Sequence, residues 1–381
     1  MVSVAAVRPR TSDEPQGATF IELFFDLVFV YALTQVTSLL VDDLTWSGAA
    51  RAVVMAWLVW WAWTQFTWTL SPADTTHPVI EVVVLAATAV AFFMARSVTE
   101  TFEGNLWLFL VPYLLIRSIG MRLYGWVGGD ADRQMAQSMG LFALASVPAM
   151  LALVAGAALD PGARSVLWAV AILLDLAAGV AVRGVTWRVH VSHFAERHGL
   201  FVIIALGESL IAIGVASAAL DATVSSFMVK GAGVAIVCGM WWIYFGWFKL
   251  WLEDRAEASG SIDFLRNAYS FVHFPVVMGV VGVAAALEAA IAHPGEAFST
   301  PAAASLVLGT TGYVGGVALL AWMAGRLILG ARLTLLATIV VFSLAAVAMK
   351  VSGALTISLA AVALGLIGVI EYYRPVPSGI K

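Results

Sequence analysis

Long apolar stretches separated by short polar connections dominate the pattern of this chain. Seven runs hold no Asp, Glu, Lys or Arg at all: 52–70, 134–159, 231–248, 267–287, 297–325, 333–349 and 351–370. Five more, near 20–40, 79–98, 105–124, 165–186 and 199–220, are apolar with one or a few ionisable residues. A bilayer-spanning helix needs about 20 mostly apolar residues. The pattern therefore predicts an all-α, polytopic transmembrane helix bundle of about twelve helices. The last two runs are divided only around 350–353, and fusing them gives eleven.

Composition points the same way. Of 381 residues, 61% are hydrophobic and 12% charged, with a mean hydropathy of +0.94. Soluble domains carry about 25% charged residues, so a cytosolic enzyme is excluded and the lipid bilayer is the expected surroundings. A net charge of −4 without a basic stripe gives no footprint for nucleic acid. Cys238 is the only cysteine and lies in an apolar run, which rules out an intrachain disulfide or a cysteine metal cluster. Residues 1–19 hold Arg8, Arg10, Asp13 and Glu14 and no apolar signal-peptide core, so the first span is expected to act as its own insertion signal.

Lys and Arg fall unevenly between the spans. With the N-terminus inside, fourteen lie on the cytoplasmic side, and five (Arg51, Arg96, Arg164, Lys230 and Lys350) lie opposite. The positive-inside rule then places both termini in the cytoplasm of a bacterial cell and requires an even number of spans. The expected division is a tail at 1–19, a six-helix half at 20–186, a His/Arg connector at 187–198, a second half at 199–372 and a tail at 373–381.

A weak internal similarity supports the two halves. Trp60-Trp61 and Trp241-Trp242 stand in similar aromatic surroundings, offset by 181 residues, and nearly the same offset sets Asp26 against Glu208. Halves of six helices insert in the same sense, which predicts two parallel repeats about an axis along the membrane normal.

Ionisable residues inside a bilayer are expensive, and they are usually paired or functional. Glu22 and Asp26 stand four apart, on one face of the first span. Asp26 and Glu208 have similar predicted depths, so both are candidates to line an ion pathway, with Glu22 and Asp175 beside them. Glu81, Arg117, Arg122 and Arg183 are candidates for structural ion pairs, and His77 stands four before Glu81. The connector holds His190, His193, Glu196 and His198, which are metal-ligand types, but their spacing fits no zinc signature. A basic connector meeting lipid headgroups or the acidic residues accounts for them, and no metal or other cofactor is expected. His273, before Pro275, reads as a satisfied imidazole in a kinked helix. Clustered tryptophans read as belt and packing, with a stacking or cation–π pocket as the alternative, and glycines such as Gly309, Gly312, Gly315 and Gly316 as close helix contact.

The segments Glu22-Leu-Phe-Phe-Asp-Leu-Val-Phe-Val-Tyr-Ala-Leu-Thr-Gln35 and His193-Phe-Ala-Glu-Arg-His-Gly-Leu-Phe-Val-Ile-Ile-Ala-Leu-Gly-Glu-Ser209 resemble the two hallmark segments of the bacterial low-temperature-requirement A family. The resemblance runs from about residue 18 to 372. It implies a multi-pass membrane protein named for a growth phenotype in the cold, without an established activity. Phe24-Phe25-Asp26 is also similar to the Phe-Ser-Asp motif of a potassium-channel family built from two six-helix repeats, with Phe25 where the serine stands.

The leading expectation is a channel or transporter for protons or monovalent cations that uses Asp26 and Glu208. Two other classes compete with it. One is a membrane enzyme acting on lipid or isoprenoid substrates through His193, Glu196 and His198. The other is a non-catalytic membrane assembly factor. A homo-oligomer is compatible with all three.

Overall fold

The structure is a computed structural model that describes residues 17–102, 104–129, 133–181, 187–218, 221–246, 248–326 and 329–372. Among these every named element is a helix, and an isolated bridge joins Ala297 to Ser352. Eleven stretches are long and apolar enough to cross a bilayer. The expected run at 52–70 does form a helix, Trp46–Leu70, but it is not among the eleven. Six tryptophans, four threonine or glutamine residues in its second half and Arg51 lower its hydropathy, although most of it is buried inside the protein. Large apolar side chains such as Leu144, Leu344 and Val341 stand well exposed, as an outer surface in contact with lipid tails requires.

The described residues form two compact units. The first comprises residues 1–39, 47–201 and 256–271, and the second 40–46, 202–255 and 272–381.

In the first unit, α1 (Phe20–Asp42) is followed by α2 (Trp46–Leu70), α3 (Pro78–Arg96), α4 (Trp107–Gly129), α5 (Arg133–Ala157) and α6 (Pro161–Ala181). Consecutive helices from α3 to α6 pack as neighbours. His77 caps α3, its Nδ1 accepting from Val79 N at 3.3 Å, with Pro78 in the first turn, where no N–H is needed. Next comes α7 (Val191–Ala216). Most of the segment expected as a connector therefore forms the first two turns of this helix. His193 and Arg197 of these turns meet the acidic side chains of α1.

After α8 (Val224–Phe245), α9 (Phe248–Ser259) ends at Gly260, whose φ of +54° takes the left-handed turn. The short α10 (Ile262–Leu265) leads into a π-helical segment, Arg266–Val272, and then α11 (His273–Ala292). Pro275 stands just inside α11 and has no N–H for the carbonyl of Phe271; the backbone widens immediately before it.

The second unit is completed by α12 (Thr300–Met323), α13 (Leu329–Ala348) and α14 (Gly353–Tyr372). The last two are separate helices. Lys350 turns at φ +55°, and Val351 N bonds Ala346 O at 2.8 Å to close α13. The closest approach is between α11 and α12. A Cβ on Gly309 would stand 2.5 Å from Val283 N, and one on Gly279 would run into the backbone of Tyr313. Gly312 and Gly316 continue this contact face, whereas Gly315 points to open space. Ser305 Oγ donates to Gly282 O at 2.9 Å across the seam. Elsewhere in the unit, Tyr313 donates to Met240 O at 2.7 Å, and Tyr244 Oη lies 2.8 Å from His273 Nε2. His273 is thus a satisfied core imidazole.

Candidate functional site

Two buried polar clusters lie inside the first unit. The first joins α1, α2 and α7. Glu22 and Asp26 are one turn apart on α1, and His193 and Arg197 are one turn apart on α7, so both pairs repeat at i, i+4 and meet side by side. His193 Nε2 lies 3.1 Å from Glu22 Oε2, and Arg197 Nη1 lies 3.5 Å from Glu22 Oε1. Arg197 Nη2 is paired with Asp26 Oδ1, and Arg197 Nε donates to Asp26 Oδ2 at 3.4 Å. Trp63 Nε1, from α2, donates to Asp26 Oδ1 at 2.7 Å. Both acids and Arg197 are fully buried, and His193 is 1% exposed.

The start of α1 closes the cluster. Thr19 donates to Glu22 Oε2 twice, from its backbone N at 3.0 Å and its hydroxyl at 2.8 Å. Ala18 N donates to Glu196 Oε2 at 3.1 Å. The far nitrogen of His193, Nδ1, takes no hydrogen bond from the described residues. In charge terms, two carboxylates face one guanidinium and one imidazole. The four groups balance when the imidazole carries a proton, and hold one net negative charge when it does not.

The second cluster joins α2, α4 and α6. Arg117 grips Asp175 with both terminal nitrogens, Nη1 to Oδ2 at 3.2 Å and Nη2 to Oδ1 at 3.1 Å. Its Nε donates to Gln65 Oε1 at 2.6 Å, and Gln65 Nε2 returns to Arg117 O at 2.8 Å. Nη1 also donates to Tyr113 Oη at 2.8 Å, one turn back on α4. Arg117 and Asp175 are sealed from solvent. A bidentate, fully bonded fork of this kind is the geometry that repays the cost of burying charge.

The other expected residues are placed differently. Glu208 is partly exposed on α7 and, among the described residues, makes no ion pair. It stands seventeen residues into its helix, because α7 starts eight residues before the expected 199, whereas Asp26 stands six into α1. They belong to different compact units. Glu81 and Arg122 are exposed and make no ion pair among the described residues; Glu81 sits in the first turn of α3, where the helix dipole favours an acid. Arg183 lies outside the described residues.

The histidines diverge. His190 donates its backbone N–H to Ser71 Oγ at 3.0 Å, and His193 turns to α1. His198 is buried among the rings of Trp60, Trp63, Phe194 and Tyr269, its Nδ1 2.8 Å from Phe194 O. Among the described residues no three His, Cys, Asp or Glu side chains converge as a metal site. Arg197 was not singled out from sequence, though its spacing from His193 repeats that of Glu22 and Asp26. Gln65 and Trp63 read only as parts of an aromatic run.

A helical protein with many bilayer-length spans, and charged side chains paired in its interior, is a multi-pass membrane protein. The chain matches the family described as bacterial low temperature requirement A protein (LtrA) over residues 17–368. It belongs to that family. An uncharacterized protein of Rhizobium meliloti (strain 1021) is 31% identical over 310 residues, covering 76% of this chain and 73% of the relative. No solved structure matches the chain.

Proposed function

We propose that this LtrA-family protein is a proton-coupled membrane transporter in which Glu22 and His193 hold the coupling proton and Asp26–Arg197 is the ion pair that responds to it. The observation that carries the reading is the composition of the first cluster. Two buried carboxylates share one arginine with a histidine whose second nitrogen is open among the described residues. Moving one proton changes the net charge of a site sealed from solvent, which is how intramembrane relays bias a conformational change. Asp26, held by Arg197 and Trp63, then serves as the lock and not as an open ion ligand. Arg117–Asp175 has its donors and acceptors matched within its own cluster and holds α2, α4 and α6 together. Glu208 keeps the pathway role proposed for it, as a partly exposed carboxylate in an apolar helix. Cytoplasmic termini would put the first cluster near the inner face.

The test is proton uptake into liposomes that hold the purified protein and a trapped pH dye, under an imposed gradient. Uptake by the wild type, and a loss of at least tenfold in Glu22→Gln and His193→Gln proteins of unchanged helicity, is the expected result. Folded wild-type protein that moves protons no faster than empty liposomes would remove the reading.

A further inference from the structure

The first unit also encloses a cavity of about 290 Å³ beside the second cluster. Four aromatic side chains line it, Trp61, Trp68, Phe142 and Trp187, among polar ones such as Gln65 and Ser261. These rings are fixed by contacts of their own. Trp61 stacks on Phe271 at 6.0 Å, Trp68 meets Trp187 edge-on at 5.7 Å, and Phe142 meets Trp187 at 6.0 Å. The π-helical segment supplies one side. Trp68 Nε1 donates to Ser270 Oγ at 2.9 Å, and Trp60 Nε1 donates to Ser270 O at 2.8 Å, so two indoles are tied to one residue of that widened backbone. Single π turns of this kind recur at ligand sites.

Two features define the chemistry the cavity would take. The charged residues in its lining are Asp263 and Arg266, paired with each other at 2.6 Å, and Arg266 is further held by Asn267 Oδ1. Arg117 and Asp175, behind Gln65, are likewise matched. The lining therefore offers no unbalanced charge to an ionic ligand. Thr64, by contrast, is 2% exposed, lines the cavity, and leaves its hydroxyl without a hydrogen-bond partner among the described residues. A buried hydroxyl left in that state costs free energy that a ligand with one polar atom recovers. The volume lies at the small end of the range for small-molecule pockets.

We propose that this cavity binds a small, neutral, planar aromatic molecule that places one hydrogen-bonding atom at the Thr64 hydroxyl between the Trp61, Trp68 and Trp187 rings. The site is independent of proton movement. It would give a transporter a substrate pocket, and it would equally give a non-transporting protein a sensor site. Gln65, which lines the cavity and bonds Arg117, connects an occupied pocket to the buried ion pair.

The experiment is calorimetric titration of the full chain in lipid nanodiscs against empty nanodiscs. The probes are 2-naphthol, 2-naphthoate and the corresponding naphthyl trimethylammonium ion. The expected result is saturable one-to-one binding of 2-naphthol, at least tenfold weaker binding of both charged analogues, and about tenfold weaker 2-naphthol binding by Thr64→Val protein. Should Thr64→Val fail to fold, Trp187→Ala, at the half-buried rim, tests the same wall and should also weaken binding about tenfold. Heat no greater than from empty nanodiscs, affinity unchanged in the variant, or a cation that binds as tightly as the neutral probe would each overturn the proposal. None of these outcomes depends on whether the protein moves protons.

Discussion

Trp63 on α2 donates its indole N–H to Asp26 Oδ1, the same oxygen that pairs with Arg197 Nη2 from α7. One carboxylate oxygen on α1 thus ties three helices together. The guanidinium carbon of Arg197 also lies 5.8 Å from the Trp63 ring centre, which adds a cation–π contact to the hydrogen bond. Trp63→Phe keeps an aromatic face and removes the donor together with part of the buried ring. It should lower unfolding stability by at least about 1.5–3 kcal/mol, the worth of a hydrogen bond to a charged acceptor, with the lost ring volume adding to it. Thermal unfolding followed by circular dichroism checks this, and a Trp63→Ala protein should fall further because a buried ring is also lost.

Removing one member of the Asp26–Arg197 pair leaves the other buried and uncompensated. Arg197→Met should therefore cost about 3–5 kcal/mol. Asp26→Leu together with Arg197→Met should cost at least about 1 kcal/mol less than the sum of the two single changes, since groups in one network do not add. An additive double mutant would mean that the two side chains are not coupled.

The second cluster should behave as a structural lock. Arg117→Lys keeps the charge and loses the planar fork that meets Asp175 with two nitrogens and Gln65 with a third. A melting temperature several degrees lower, with proton uptake per folded molecule unchanged, is the expected outcome. A selective loss of uptake at unchanged stability would move Asp175 back to the pathway.

Much of this was legible in the chain. Helix positions follow from apolar run length, because lipid leaves a backbone no other way to satisfy its hydrogen bonds. Glu22 and Asp26 were visible as one face for the same geometric reason. The partners were not visible. Arg197 lies in a basic stretch expected to meet headgroups or acidic residues, and only long-range packing shows that its charge is spent on the two acids of α1. Gln65 and Asp175 had no counterpart within a turn in sequence, and nothing local encodes a contact between α4 and α6. The start of α7 was less legible, because its polar first two turns precede the apolar run and are buried by pairing with α1.

The seam between α11 and α12 leaves no room for a methyl group. Gly309→Ala would press a Cβ onto backbone atoms of Gly282 and Val283, which cannot swing aside as a side chain can. Overpacking of this kind typically costs about 1–3 kcal/mol. Gly315→Ala, three residues from Gly312 and facing open space, is the matched control and should leave the unfolding midpoint unchanged.

The charge count of the first cluster separates a proton-holding site from a purely structural one. In the wild type the four groups are neutral with a proton on His193 and carry one net negative charge, sealed among apolar side chains, without it. Glu22→Gln removes one acid, and the remaining groups are then neutral only when the imidazole carries no proton, so the cluster no longer gains by holding one. If the cluster holds the coupling proton, wild-type uptake should fall as pH rises. The Glu22→Gln protein should melt at nearly the same temperature across the same pH series, and its residual uptake should be small and flat with pH. A structural cluster predicts the reverse for transport: any uptake present would keep its rate and its pH profile after Glu22→Gln, with only the melting temperature moved. Melting and uptake measured on the same preparations over one pH series distinguish the two, because only a group that carries the transported proton changes both together.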